Sequence, residues 1–429
     1  MPSVVNIDVG RELRARSTPV CRPIDVGLLG CGNVGAAFAG LTERPHPSAT
    51  AVRITGALVR DARRERPSLR GDALRTELAE PIFAANPDVI VELLGGTEPA
   101  RTLVLDALYR RIPVVTANKS LLAAHGRELR EASAATFTPL LYEAAVIAGV
   151  PFLGTFARRP HAAHLSSIVG IANGTSNYVL TRATADRIGI DKALADAQRL
   201  GLAEPDPSND VDGIDAVEKL AVLLQHFAGA DVAPRDIESR GIRHLSSAEI
   251  EQATSLEGVI KPVICADWSD GLNAFVGPAF VPADHLLASV DGAENTLVLG
   301  GPRGRIVFRG PGAGPEVTAA TVLDDVLEAA SSTQVPSQST LRPIACSAPE
   351  SEWFISLAGA RLPRGLEIAD LLSSYGVFIR RTGARRSADG FERVAALTWP
   401  SERLRLERAL HALASAAGCR TEHFRALGA

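Results

Sequence analysis

Only four of the 45 basic residues are lysines: Lys119, Lys192, Lys219 and Lys261. A surface positive charge can be lysine or arginine, so in an arginine-rich chain a lysine kept beside other reactive groups points to a place where arginine would not serve. Arginine holds its proton at any useful pH, whereas a lysine amine can be tuned to give and take one. Two of the four stand in reactive company, in Thr116-Ala117-Asn118-Lys119 and in Asp215-Ala216-Val217-Glu218-Lys219. Lys192 and Lys261 have no such company and read as surface charges.

The approach to Lys219 is dense in carboxylates. Glu204, Asp206, Asp210, Asp212 and Asp215 fall in one short stretch that Pro205 and Pro207 stiffen. A helix starting after Gly213 places Asp215 and Lys219 at i and i+4 on one face. A surface ion pair is the plain reading. A carboxylate that binds a substrate ammonium beside a proton-transferring lysine also explains the stiff acidic approach. The carboxylates lack the spacing of an EF-hand, which excludes calcium of that type. Upstream, the apolar run Ser167–Ala172 reads as a strand ending at Asn173-Gly174-Thr175-Ser176-Asn177, a polar edge suited to a small zwitterion or an ordinary turn.

These groups need a scaffold, and the front of the chain supplies one. Ile24–Leu29 reads as a buried strand, followed by Gly30-Cys31-Gly32-Asn33-Val34-Gly35 and the small apolar helix residues 36–41. That is G-x-G-x-x-G between a strand and a helix, the pattern that binds a dinucleotide pyrophosphate at a helix N-terminus. The second strand, Val52–Val59, ends at Arg60-Asp61 with Arg63 and Arg64 close behind. An acid at that point holds the ribose hydroxyls of NAD(H), and an arginine accommodates the 2′-phosphate of NADP(H). The arginine cluster leans toward NADP(H), with NAD(H) left open. Pro87–Leu94, ending at Gly95-Gly96-Thr97, and Ile112–Thr116 read as further strands, and their C-terminal edges put Gly95, Thr97, Thr116 and Lys119 beside the crevice where ligands of open α/β sheets bind. Leu140–Val146 reads as a strand leading into the loop 148–151.

The 429 residues are too many for one core. The expected organisation is an N-terminal extension over 1–22, a dinucleotide-binding domain over 23–150, an α+β domain over 151–330 and a polar linker over 331–345. A C-terminal module follows over 346–429. The net charge of −4 gives no reason to expect nucleic acid or an anionic membrane as partner. No apolar run approaches the roughly 20 residues of a membrane span. Five scattered cysteines without a CxxC pair suggest neither a disulfide framework nor a zinc site and fit the cytoplasm. In the tail, strands at Trp353–Ala358, Val377–Arg381, Arg393–Thr398 and Thr421–Arg425 interleave with helices at Leu366–Tyr375 and from a Ser401 cap to Ala417, a βαββαβ order.

Taken in order, the motifs resemble homoserine dehydrogenase over most of residues 24–330. They are GLLGCGNVG, VELLGG (Val91–Gly96), VVTANK (Val114–Lys119), YEAAV (Tyr142–Val146) and GIANGTSNYVL (Gly170–Leu180). They continue with LGLAEPDPSNDVDGIDAVEKLAVL (Leu200–Leu223) and GPGAGPEVTAATVLDDV (Gly310–Val326). The resemblance implies a Rossmann domain followed by a catalytic and dimerisation domain whose last helix packs back on the first. It also implies reversible hydride transfer between L-aspartate 4-semialdehyde and L-homoserine with NAD(P)H, on the way to threonine, methionine and isoleucine.

Carried over by position, Lys119 and Lys219 are the candidate proton-transfer groups. Glu204 and Asp215 bind substrate, with Asp210, Asn173, Gly174 and Thr175 assisting. The cofactor contacts are Gly30, Gly32, Asn33, Val34, Gly35, Arg60, Gly95, Thr97 and Thr116. Carbonyls of the loop bearing Glu143, Val146, Ala148 and Val150 would hold a monovalent cation such as sodium. Burial beside a second cation is expected to lower a lysine toward neutrality. A homodimer or homotetramer is implied, formed through the middle domain.

Two positions depart from the family. Ile147 stands where the loop usually has glycine, and a β-branched residue resists positive φ. Leu202 replaces the usual aromatic residue before the acidic loop. The tail resembles the ACT-type regulatory domain of bacterial members, but its first loop, Ala360–Gly365, lacks the acid that commonly helps hold an amino-acid effector. It is expected to fold and pair subunits but respond weakly to threonine. With no kinase-length segment before residue 24, fusion to an aspartate kinase is not expected. A paralogous dehydrogenase on a related amino-acid aldehyde and a non-catalytic nucleotide and amino-acid sensor are the rivals. Joint retention of Lys119, Glu204, Asp215 and Lys219 argues against the sensor.

Overall fold

The computed structural model describes residues 22–44, 50–157, 164–331, 341–346, 350–386 and 392–428. The proposed N-terminal extension, apart from Arg22, and most of the proposed linker lie outside them.

The first layer is a six-stranded parallel sheet of β1 (Ile24–Leu29), β2 (Val52–Leu58), β3 (Leu74–Thr76), β4 (Val89–Glu92), β5 (Val114–Thr116) and β6 (Leu140–Leu141). Their order is β3-β2-β1-β4-β5-β6, the doubly wound order whose direction reverses between β1 and β4 and opens a crevice there. Val26, Leu28, Val89, Ile90 and Val91 are buried, as strands covered on both faces require. Helices α1 (Asn33–Thr42), α2 (Glu80–Ala84), α3 (Ala100–Tyr109) and α4 (Lys119–Thr136) connect the strands. The expected strand Leu140–Val146 is paired only over Leu140–Leu141, because Glu143–Ala145 winds into a single 3-10 turn. Glu143 causes the break: its amide donates to Asp325, and its carboxylate caps α5 (Leu153–Ala157) by accepting from the amides of Phe152, Leu153 and Gly154.

The second sheet holds β7 (Ser167–Ile171), β8 (Glu238–Ser239), β9 (Gly258–Asp267), β10 (Asn273–Pro282), β11 (Glu294–Gly301) and β12 (Gly304–Pro311). One face carries α6 (Gly174–Asp186), α7 (Ile190–Arg199), the short α8 (Ser208–Val211), α9 (Ile214–Leu223) and α10 (Ser247–Ser255). Helix α11 (Pro315–Ser331) returns to the first domain, where Ala319, Val322 and Val326 share a core with Val26, Leu28 and Phe38.

The tail has β13 (Trp353–Gly359), α12 (Gly365–Ser374), β14 (Ile379–Arg386), β15 (Glu392–Thr398), α13 (Arg403–Ala417) and β16 (Arg420–Ala426). Its strands are not a separate sheet. They extend the middle one in the order β12-β11-β7-β9-β10-β16-β13-β15-β14, joined by parallel pairing of Ala279 and Phe280 with Arg425 and Ala426. Phe354 stacks on Phe280 across the seam at 5.5 Å. The described end of the linker is also fixed, since Asp231 N donates to Arg342 O and Leu272 N to Ala345 O, each at 2.8 Å. Ser401 does not cap α13: Glu402 is the N-cap residue, and Ser401 pairs with Ser351 as an isolated bridge. Gly418 ends the helix in the left-handed region, φ 60°. Lys261 is not a surface charge. It is 3% exposed on β9, its amine donating to Val290 O at 2.7 Å and pairing with Asp291 at 3.1 Å, and burial pulls its pKa down. Lys192 is exposed.

Candidate active site

Two carboxylates and two lysines meet where the first domain faces the second. Asp215 lies in the first turn of α9, and Lys219 one turn on folds back onto it, Nζ to Oδ2 2.8 Å. Lys119 opens α4 in the nucleotide domain and reaches the other oxygen of Asp215, 3.3 Å. Asn173, the N-cap of α6, donates through Nδ2 to Asp210 at 2.7 Å and to Asp215 at 2.8 Å, while its Oδ1 accepts from Ser176 N. Lys219 also donates to Ala172 O at 2.7 Å, an oxygen shared with Asn295 Nδ2.

The electrostatics follow from this geometry. Burial raises the Asp215 carboxyl, but the cations of Lys219 and Lys119 outweigh it and hold it below the usual range. Burial lowers the Lys119 amine, but Asp215, Glu218 and Asp210 outweigh it, and its pKa is raised. The expected lowering of this lysine by a second cation is therefore reversed, because a carboxylate lies between the two amines.

Sequence reasoning missed the support for Lys119. Glu92, fully buried at the end of β4, accepts from Thr116 Oγ1 at 2.5 Å, Leu94 N at 2.7 Å and Asn118 Nδ2 at 3.3 Å. Burial pushes its carboxyl up against the opposing effect of those bonds. Asn118 caps α4 by accepting from Leu121 N, and its Nδ2 also donates to Gly96 O. Ser120 donates to Glu218 of α9, a second tie between the domains. An acid inside an apolar strand at its functional edge was the available signal.

The glycine loop suits a pyrophosphate. Gly30 has φ +101°, and a Cβ there would meet Leu93 O at 2.6 Å. At Gly35 a Cβ would meet Gly30 O at 2.5 Å, so the helix packs tightly against the loop. At Gly32 it would meet nothing within 4 Å, which leaves its backbone open to a ligand. Asn33 and Val34 start α1 beside it. Gly95 is exposed and Thr97 half-buried on the opposite wall of the crevice. Arg60 is exposed at the end of β2, while Asp61 turns an oxygen back onto Arg63 N.

Other expected residues are placed differently. The hydroxyl of Thr116 is buried and bonded to Glu92 and Asn118 N, so it is not open to a cofactor. Thr175 Oγ1 donates to Leu202 O and so anchors the acidic loop. Glu204 is exposed, and among the described residues its carboxylate has no hydrogen-bond partner. Gly174 sits against Ala293 O with no room for a side chain. In the candidate cation loop, Ile147 is buried and outside the left-handed region, so the β-branched residue is accommodated. The Glu143 carboxylate serves three amides, and the Ala148 carbonyl accepts from Thr321. Backbone carbonyls are hard donors suited to a monovalent cation, though that of Ala148 would be shared. Among the described residues no group of three or more His, Cys, Asp or Glu side chains is arranged to hold a metal ion, and no helix is long and apolar enough to cross a membrane.

A nucleotide crevice whose open end meets a lysine–carboxylate–lysine set marks an NAD(P)-dependent oxidoreductase. Comparison with known proteins narrows the class. The family model described as homoserine dehydrogenase, NAD binding domain, matches residues 30–143, and the one described as homoserine dehydrogenase matches residues 151–327. Homoserine dehydrogenase of Synechocystis sp. is 38% identical over 314 residues, 71% of this chain and 72% of that protein. The solved homoserine dehydrogenase of Thiobacillus denitrificans is 28% identical with a TM-score of 0.87, covering 95% of this chain and 98% of that one. A hyperthermophilic archaeal homoserine dehydrogenase solved in complex with NADPH is 25% identical with a TM-score of 0.60, covering 72% of this chain and 98% of that one. The chain belongs to the homoserine dehydrogenase family.

Proposed function

We propose that the protein interconverts L-aspartate 4-semialdehyde and L-homoserine by hydride transfer with NADP(H), a step toward threonine, methionine and isoleucine. The observation that carries this reading is the meeting of Lys119, from the nucleotide domain, with Asp215 and Lys219 of the middle domain. The dinucleotide, when bound by Gly30, Gly32, Gly35 and their neighbours, supplies the hydride chemistry. The chain binds the substrate and manages the proton. Asp210 and Asp215 offer carboxylate oxygens to the substrate ammonium. Lys119 donates the proton that completes the alcohol. Lys219 is a poorer donor because it is buried and committed to Asp215 and Ala172 O; its work is to fix Asp215. The Lys119 side chain is 32% exposed and makes a longer bond to Asp215. Glu204, exposed at the head of the acidic loop, offers a further carboxylate to the substrate.

Arg60, Arg63 and Arg64 are exposed at the end of β2, and Asp61 is partly engaged by its own loop. This favours the 2′-phosphate of NADP(H) over NAD(H). The NADPH bound to the archaeal relative supports the same choice. A monovalent cation on the carbonyls of the 143–150 loop would brace the joint between the domains, since Asp325 and Thr321 of α11 bond there. The protein works in the cytoplasm as a homodimer or homotetramer, assembled through the middle domain, whose outer strand β12 exposes Ile306 and Val307. The tail acts as an ACT-type module with weak threonine response; the first loop lacks its own acid, although Glu392 of β15 accepts from Leu362 N there.

A panel of amino-acid aldehydes with NADPH tests the substrate assignment. L-aspartate 4-semialdehyde is expected to give the highest kcat/KM with homoserine as product. Higher kcat/KM for another aldehyde would favour the paralogous dehydrogenase.

A further inference from the structure

We propose that Arg240 is a positioning residue through which the C-terminal module holds the substrate carboxylates in place. The inference rests on reading Asp210 and Asp215 as substrate-binding groups. Residues 238–243 run as a strap between the tail and the acidic loop. On the tail side, Arg240 Nη2 donates to Glu422 at 2.7 Å and Nη1 to His423 O at 3.0 Å, and the guanidinium lies over the Phe424 ring at 4.9 Å. Glu238 at the head of the strap reverses the polarity by pairing with Arg425 at 2.9 Å and with Arg403.

The same strap grips the acidic loop. Ile242 N donates to Val211 O at 2.8 Å. A Cβ at Gly241 would lie 2.6 Å from Val211 O and 2.7 Å from Asp212 Cα, so backbone packs on backbone. Arg243 pairs with Asp212 at 2.5 Å and donates to Ser208 Oγ. Asp210 lies within the stretch so held, and Asn173 links it to Asp215. Arg240 touches neither carboxylate, so it acts through the strap. Its bonds to Glu422 and the tail backbone are charge-assisted and about two-thirds screened from water at the arginine.

Arg240→Ala and Glu422→Gln in the full chain, each compared with wild type, test the proposal. Amide hydrogen exchange over residues 206–215 is expected to quicken by on the order of tenfold in both variants, with exchange in the nucleotide sheet unchanged. The KM for L-aspartate 4-semialdehyde is expected to rise by on the order of tenfold, with kcat and NADPH affinity within about threefold of wild type. Arg240→Lys, which keeps one donor toward Glu422, should recover part of both effects. Wild-type exchange in the acidic loop of Arg240→Ala would overturn the proposal, even with a lower melting temperature. If wild type itself fails to turn over the aldehyde, the substrate reading fails, and the exchange rates still decide the positioning.

Discussion

Lys119 and Asp215 come from different domains and meet at 3.3 Å, with Lys219 held on the second oxygen of the same carboxylate. The domains therefore join at the point where their chemistry must join. Removing the carboxylate strands two cations, and Lys219 has little water to turn to. Asp215→Asn is expected to lower unfolding stability by about 3 kcal/mol, the scale for breaking a buried pair. The sign with pH follows from the lowered Asp215 pKa. Its stabilisation is present above the unfolded value of about 3.9 and is lost as pH falls through the lower folded value. Denaturant melts from neutral to acid pH should show a shallower loss in the variant.

Lys119→Arg keeps the ion pair and removes the amine that can give up its proton. Its kcat is expected to fall by on the order of 10² to 10⁴ with little change in melting temperature. The raised pKa of Lys119 means that its pairing is complete below the unfolded value of about 10.4 and is lost only as pH rises through the folded one. Aldehyde reduction by wild type should then show no amine titration at or below neutral pH. Steady-state kinetics across pH check both statements.

Gly32 and Gly35 should separate binding from folding. Gly35→Ala drives a methyl into the Gly30 carbonyl and is expected to cost about 1–3 kcal/mol of stability. Gly32→Ala has open space around it, so it should leave the melting temperature near wild type and weaken NADPH by tenfold or more, on the order of 1.4 kcal/mol or above. Thermal melts beside nucleotide titrations read the two effects apart.

How much of this was legible in the sequence depended on the range of the interaction. The strand Ile24–Leu29, the glycine loop and the Asp215–Lys219 pair are set by local pattern, and they stand where spacing placed them. Lys261 looked like a surface charge because its partners, Val290 O and Asp291, come from a distant loop. The strand expected through Val146 stops at Leu141 because α11 and α5 draw Glu143 out of the sheet, and the α11 contact, to Asp325, comes from far along the chain. Ser401 has the chemistry of a cap, but the tail's edge uses its backbone for a bridge to Ser351. Glu92 lies inside an apolar strand motif, and its partners Thr116 and Asn118 come from the next strand edge; the Arg240 strap has no sequence signature.

His226 provides a second pH handle. It sits in a π-helical turn, Leu224–Ala228, that continues α9, with Nδ1 3.0 Å from the Tyr142 hydroxyl. Burial, aided by the Arg130 cation, pulls its pKa down to about 3. The folded state thus prefers the neutral ring. Its contribution is full above the unfolded value of about 6.5 and is lost as pH falls toward the folded one. His226→Gln should reduce the acid sensitivity of stability between those values by no more than about 1 kcal/mol per pH unit, since the residue is only partly buried. Urea melts at stepped pH measure it.

The most direct measurement is consumption of NADPH and of NADH with L-aspartate 4-semialdehyde by wild type and by Lys219→Ala. Turnover by wild type, faster with NADPH, and a loss on the order of 10² or more in the variant are expected, because Asp215 loses the cation that orients it. No turnover with either cofactor, in a folded protein that still binds nucleotide, would contradict the assignment.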